Sequence, residues 1–174
     1  SLSLFLSLSL FISPILFLIL LGINIVFVGS RPPQKVNQLV ISSIGDASFL
    51  NPILSQDSAS SEINSFVFNG LIKYDRDLQG FVGVLAESWK VEKGSEPVIT
   101  FYLRKGVLWH DGKEFTAEDV KFTYDKIMDE KTNTVRRSDY ELVKTAEVLD
   151  PYTFRVTYKQ PFSPGLATWG MGVI

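Results

Sequence analysis

Two kinds of hydrophobic pattern divide this chain. From Ser1 to Val28, Leu, Ile, Phe and Val follow one another, broken mainly by serine, and Ile15–Val28 is interrupted only by Gly22 and Asn24. Such a stretch suits a signal-peptide core of roughly 7–15 apolar residues or a spanning helix of about 20. A helix apolar on every face belongs inside a large protein or a bilayer, and the remaining 144 residues offer too small an interior. Gly29-Ser30 and the helix-breaking Pro32-Pro33 close the stretch. We expect residues 1–30 to be a signal peptide or membrane anchor and residues 31–174 to form a separate folded body.

In that body the patterns are those of ordinary elements. Gln38–Ile44 reads as a short strand around Leu39, Val40 and Ile41. Gly45–Ser61, rich in Ser, Asp, Asn and Pro, reads as loop with a turn at Asn51-Pro52. Ile63, Phe66 and Val67 stand at helical spacing, which predicts a helix over Glu62–Asn69 with Gly70 as its stop. Leu71–Tyr74 reads as a strand ended by the turn Asp75-Arg76-Asp77. Ile99–Leu103 alternates with period two, as a half-buried strand does.

The sharpest helix signal comes next. Thr116 is an N-cap with Asp119 three residues on, as in a capping box, and Val120, Tyr124, Ile127 and Met128 form one apolar stripe. Residues 129–139 read as loop. Ala146–Leu149 and Phe154–Tyr158 predict a hairpin turning at Asp150-Pro151-Tyr152. The chain opens at Ser1 without a basic residue before its apolar core and closes on the apolar run Ala167–Ile174 without a polar tail. We therefore expect it to be a piece of a longer protein, truncated at its C-terminus.

Composition removes several function classes. The first 30 residues carry no charge, so all 17 basic and 19 acidic residues lie in the body. A net charge of −2 without a long run of one sign argues against a nucleic-acid partner. Arg136-Arg137, the nearest thing to a basic patch, reads as solvated surface. With no cysteine and His110 the single histidine, neither a disulfide nor a Cys- or His-cluster metal site can form, and no cofactor is implied. His110 reads as an exposed turn residue in His110-Asp111-Gly112-Lys113, where Gly112 can take a positive φ. Glu87 and Glu118 pose as a carboxylate pair for glycoside chemistry, but each sits in a motif with a structural explanation.

Three motifs stand in order: Gly83-Val-Leu-Ala-Glu-Ser-Trp89, Thr100-Phe-Tyr-Leu-Arg-Lys-Gly-Val-Leu-Trp-His-Asp-Gly112, and Phe115-Thr-Ala-Glu-Asp-Val120. Asn69-Gly70-Leu71 precedes them and Leu149-Asp-Pro-Tyr-Thr153 follows. From about Gln38 to the end the chain resembles the bacterial extracellular solute-binding proteins of peptide ABC importers, the oligopeptide/dipeptide/nickel-binding family, family 5. The agreement of several separated motifs makes the resemblance specific. It implies an α/β fold: part of one lobe of a two-lobe periplasmic-binding-protein fold of the class II type, a mixed sheet with helices. Residues 31–174 would be the N-terminal part of the solute-binding domain. Trp89, Phe101 and Leu103 would be core, capped by Trp109.

The same resemblance implies that the protein captures a peptide or another small-molecule ligand outside the cytoplasm and catalyses nothing itself. Its partners would be that ligand, the membrane permease subunits of an ABC transporter, and the membrane through the N-terminal segment. Many relatives carry a lipid-modified cysteine after the apolar stretch; here Gly29 is followed by Ser30, and serine forms no thioether. The polar loop after the first strand carries the candidate ligand contacts Ser55, Asp57, Ser58 and Ser60, whose short hydroxyl and carboxylate side chains suit amides and amines. A solvated surface loop is the alternative for them. Trp169 lines the cleft or belongs to the core. Two other classes compete: a membrane-anchored hydrolase working through Asp or Glu, and a sensory ectodomain on a single span.

Overall fold

Period-two alternation builds the centre of the fold, seen here in a computed structural model that describes residues 42, 43, 45–172 and 174. The expected leader, residues 1–30, lies outside the described residues, as does the strand expected over Gln38–Ile44 apart from Ser42 and Ser43. Among the described residues no helix is long and apolar enough to cross a membrane.

Strand β4 (Val98–Leu103) buries Ile99, Phe101 and Leu103, and strand β6 (Thr153–Tyr158) buries Phe154, Val156 and Tyr158. They pair antiparallel with Ile99 opposite Val156 and Phe101 opposite Phe154, so the two inward rows meet side by side. Strand β3 (Ala86–Glu92) borders β4 and strand β5 (Val143–Asp150) borders β6, giving the order β3-β4-β6-β5. The expected β5–β6 hairpin is present, with the Asp150 carboxylate accepting from the Tyr152 N–H at 2.8 Å. Strands β1 (Ile72–Tyr74) and β2 (Phe81–Gly83) form a second, two-stranded sheet. Sheets and helices combine as expected; the strand pairs within the described residues are all antiparallel.

Helix α1 (Ser58–Val67) starts four residues earlier than its spacing predicts, so Ser58–Ser61 are helical. The reason is Asp57, whose carboxylate accepts from the Ser60 N–H at 2.8 Å and caps the first turn. The apolar spacing also misleads: Ile63, Phe66 and Val67 are exposed, and Ala59, Ser60 and Asn64 face inward. Gly70 does not stop this helix, whose cap is the extended Phe68. A Cβ on Gly70 would lie 2.6 Å from the carbonyl carbon and oxygen of Gly170, so the glycine lets two backbones touch.

Helix α2 (Ala117–Met128) follows its signal closely. Val120 and Ile127 are buried against β5 and β6, Tyr124 and Met128 half-buried, and the Asp119 carboxylate reaches back to the Thr116 N–H at 2.8 Å. Residues 129–139 are not loop throughout: a 3-10 turn over Val135–Tyr140 carries the Tyr140 ring into the interior.

The core centres on Trp169, in a 3-10 turn over Ala167–Gly170. Its ring centroid lies 5.2 Å from those of Tyr140 and Phe154 and 5.9 Å from that of Phe101. Its Nε1 donates to the Tyr158 hydroxyl at 3.0 Å, which donates to the Gly165 carbonyl at 2.7 Å. A buried indole N–H needs such a partner. Phe101 and Leu103 are core as expected, and Trp89 and Trp109 pack partly buried at its edge.

Candidate functional site

A groove of about 610 Å³ opens between two walls, within the size range of small-molecule sites. Phe49, Asn51, Ile53, Leu54 and Gln56 form the first wall, on the segment before α1. The second comes from the outer face of α2 and the loop after it: Phe122, Lys126, Lys131, Thr132 and Asn133.

The first wall is shaped by Asn51. Its side-chain oxygen accepts from the Ile53 N–H at 3.0 Å, and its carbonyl accepts from Leu54 at 3.1 Å and Ser55 at 2.9 Å. This is the turn expected at Asn51-Pro52, built by an Asx side chain. Behind the wall, Ser60 is fully buried, and its hydroxyl accepts from the Ser48 and Phe49 N–H groups at 3.0 and 3.1 Å while donating to Asp57 at 2.7 Å. Asn64 Nδ2 donates to the buried Ser55 hydroxyl at 3.1 Å. The Ser60 backbone N–H first, and the Ser60 hydroxyl after it, hold the Asp57 carboxyl below its ordinary value.

The second wall is tied down by arginines. Arg137 donates through Nη2 to the carbonyls of Asp129 and Thr132 at 2.7 and 2.8 Å, fixing the loop after α2. Arg136 Nε donates to the Pro52 carbonyl at 2.9 Å, and the Thr134 hydroxyl to the Ile53 carbonyl at 2.6 Å, joining the two walls. The reading of Arg136-Arg137 as solvated surface is thus corrected: both are partly buried, with guanidinium groups spent on backbone carbonyls.

None of the residues singled out from sequence is on this groove's lining. Ser55, Asp57 and Ser60 are brought together, bonded to the segment that carries the first wall. Ser58 is exposed on the first turn of α1, and Trp169 is 3% exposed in the core. Sequence reasoning passed over the polar lining residues Asn51, Gln56, Thr132 and Asn133. The Asn51-Pro52 turn marked the place, but nothing in the linear pattern shows which side chains of a polar loop point inward. Amides and ammonium groups interleaved with apolar side chains are chemistry for holding a solute.

The other candidates lie elsewhere. His110 is exposed in its turn, where Gly112 has φ +84° and Asp111 pairs with Lys113 at 2.9 Å. Glu87 and Glu118 are both exposed. Among the described residues no group of three or more His, Asp or Glu is placed to hold a metal ion.

Residues 80–172 match the family model described as bacterial extracellular solute-binding proteins, family 5, middle region. The chain is 37% identical over 129 residues to the oligopeptide-binding protein AppA of Bacillus subtilis, covering 73% of this chain and 23% of that protein. It is 31% identical over 137 residues to the glutathione-binding protein GsiB of Salmonella choleraesuis, covering 78% and 26%. Among solved structures it superposes on AppA of Bacillus subtilis in complex with a nonapeptide with a TM-score of 0.67 and 32% identity, over 75% of this chain and 25% of that one. NikZ from Campylobacter jejuni in complex with Ni(L-His) gives 0.64 and 31%, over 74% and 25%. The chain therefore spans about a quarter of the length of these relatives. With more than half of its residues inside the family model, the chain belongs to the family-5 bacterial extracellular solute-binding proteins.

Proposed function

We propose that this chain is the N-terminal part of the extracytoplasmic substrate-binding component of an ABC importer, which captures a peptide or a similar small solute and delivers it to membrane permease subunits. Residues 1–30 direct the protein out of the cytoplasm, as a signal peptide or an anchor, and residues 31–174 supply part of one lobe. The observation that carries the reading is the groove: two latched walls that interleave amides and ammonium groups with apolar side chains, in a family named for solute binding. The relatives' names give the ligand classes to try first, oligopeptides, glutathione and Ni(L-His). In this reading Asn51, Gln56 and Asn133 meet the backbone amides of a peptide. Asp57, Ser55 and Ser60 act from behind by holding the segment in place, and Ser58 stands at its exposed end. The rest of the full-length chain closes over the groove.

The test is a thermal-shift screen of the full-length protein, begun after residue 30, against peptides, glutathione and Ni(L-His). A ligand that binds only the folded state raises the melting temperature by mass action, by about 2.7 kcal/mol of added stability at a hundredfold excess over Kd. A shift with one ligand class supports the reading and identifies the cargo. A well-folded protein that shifts with nothing overturns it.

A further inference from the structure

The groove is electrostatically one-sided. Among the described residues the ionisable side chains on its lining are Lys126 and Lys131, one on α2 and one on the loop that follows, and none of the lining residues is Asp or Glu. Elsewhere four lysines pair with carboxylates within 3 Å, Lys90 with Glu92, Lys113 with Asp111, Lys121 with Asp125 and Lys144 with Glu96, while Lys73, Lys93, Lys105 and Lys159 make no ion pair among the described residues. Among the described residues Lys126 and Lys131 make no ion pair. Asp129, two residues before Lys131, accepts from the Lys131 backbone N–H at 3.0 Å, and the adjacent Glu130 makes no ion pair with Lys131. Lys126 Nζ lies 5.5 Å from the ring centroid of Phe122, which is 61% exposed. That contact holds the ammonium over an apolar surface with its donors unspent.

We propose that Lys126 and Lys131 make this groove selective for a carboxylate-bearing solute: a peptide with an acidic group beside an apolar side chain. The inference rests on the groove being a ligand wall, as proposed above. The acidic group meets the two ammonium groups, the apolar side chain lies on Phe49, Ile53 and Phe122, and Asn51 and Gln56 take the intervening amides. An ammonium is a mobile point charge with three donors, suited to a carboxylate presented in more than one pose. Selectivity grows when closure expels water, because the same charges then interact through a lower dielectric. Complementary charge of this kind discriminates between ligands more than it raises affinity for all of them.

The carboxylate can belong to a side chain or to the peptide C-terminus, and three peptides separate these sources: Ala-Phe-Glu-Ala, Ala-Phe-Gln-Ala, and Ala-Phe-Gln-Ala with an amidated C-terminus. Binding of each to the full-length protein is measured by calorimetry at low and at physiological salt. We expect loss of the decisive carboxylate to weaken binding about tenfold, less at the higher salt. In the Lys126→Gln/Lys131→Gln double variant, the three peptides should bind within about twofold of one another. Both lysines are exposed, so the variant's melting temperature verifies that it is folded. Wild-type protein that binds all three peptides within twofold overturns the inference alone, as does a double variant that keeps the preference. If the three peptides fail but the wider screen yields a ligand, a neutral or cationic ligand overturns the inference. An anionic ligand whose binding drops in the double variant upholds it. If nothing binds, both this inference and the function it rests on fall.

Discussion

Ser60 carries more of the local structure than its size suggests. One buried hydroxyl accepts from two backbone N–H groups of the groove segment and donates to the residue that caps α1. Ser60→Ala leaves the Ser48 and Phe49 amides without that acceptor, at a cost of about 0.5–1.5 kcal/mol per bond lost. The expected outcome is faster hydrogen exchange at those two amides, with the β4–β6 ladder unchanged; equal exchange in both proteins would contradict the assignment. Asp57 adds a pH dependence of known sign. Its folded-state pKa is lowered from the ordinary 3.8, so its contribution is present above that value and lost as pH falls below it. Protection of Ser48 and Phe49 should therefore fall on acidification below pH 3.8, and Asp57→Asn should flatten that fall. Arg136 works between the walls, and Arg136→Ala should weaken ligand binding through a faster off-rate while the protein stays folded. A variant that binds as the wild type would show that the bond to the Pro52 carbonyl does not shape the groove.

At the scale of elements, residues 69–71 cross residues 169–171 at close backbone approach. The Leu71 N–H donates to the Trp169 carbonyl at 2.8 Å, and a Cβ on Gly70 would meet backbone atoms of Gly170 at 2.6 Å and of Met171 at 2.9 Å. Backbone cannot rotate away as a side-chain tip can, so Gly70→Ala should destabilise by about 3 kcal/mol. Gly94→Ala, with nothing within 4 Å, serves as the control and should leave the melting temperature unchanged. Two equal melting curves would refute the close approach. The role of Gly70 was not legible in the sequence, because a glycine behind a helical run signals a helix stop just as well. Helix α2 was legible nearly to the residue, since cap, dipole and apolar stripe all agree there. Helix α1 was legible in existence but not in orientation: its inward face is made of Ala59, Ser60 and Asn64, and a buried serine bonded to distant backbone leaves no periodic mark. Strand β3 lacked alternation because it is an edge strand with only Ala86 buried. The groove was legible as a loop but not as a lining, for its walls are joined by Thr134 and Arg136 across more than 80 residues of chain.

Over the whole molecule, sheet, helix α2 and the final described segment meet on one indole. Trp169 touches Phe101 and Phe154 from the sheet and Tyr140 from the 3-10 turn, and its N–H is bonded to the Tyr158 hydroxyl. Removing it by Trp169→Ala opens a cavity at the centre and should cost about 3–5 kcal/mol, read as a lower unfolding midpoint. The two tyrosines make the same junction sensitive to alkali. Burial raises the phenol of Tyr140 well above its ordinary value and pushes that of Tyr158 up to about 12. A group whose folded-state pKa is raised stabilises fully below its unfolded value, here 10.0, and that stability is lost as pH rises toward the folded value. Unfolding should therefore become easier between pH 10 and 12, with phenolate absorbance and tryptophan fluorescence changing together. Tyr158→Phe separates the two roles of the hydroxyl. Losing the bonds to Gly165 and Trp169 should lower stability near neutral pH by about 1–3 kcal/mol. Losing the ionisable group should flatten the alkaline slope. A variant weaker at neutral pH but as steep between pH 10 and 12 would move the alkaline sensitivity onto Tyr140, and Tyr140→Phe would then flatten it instead.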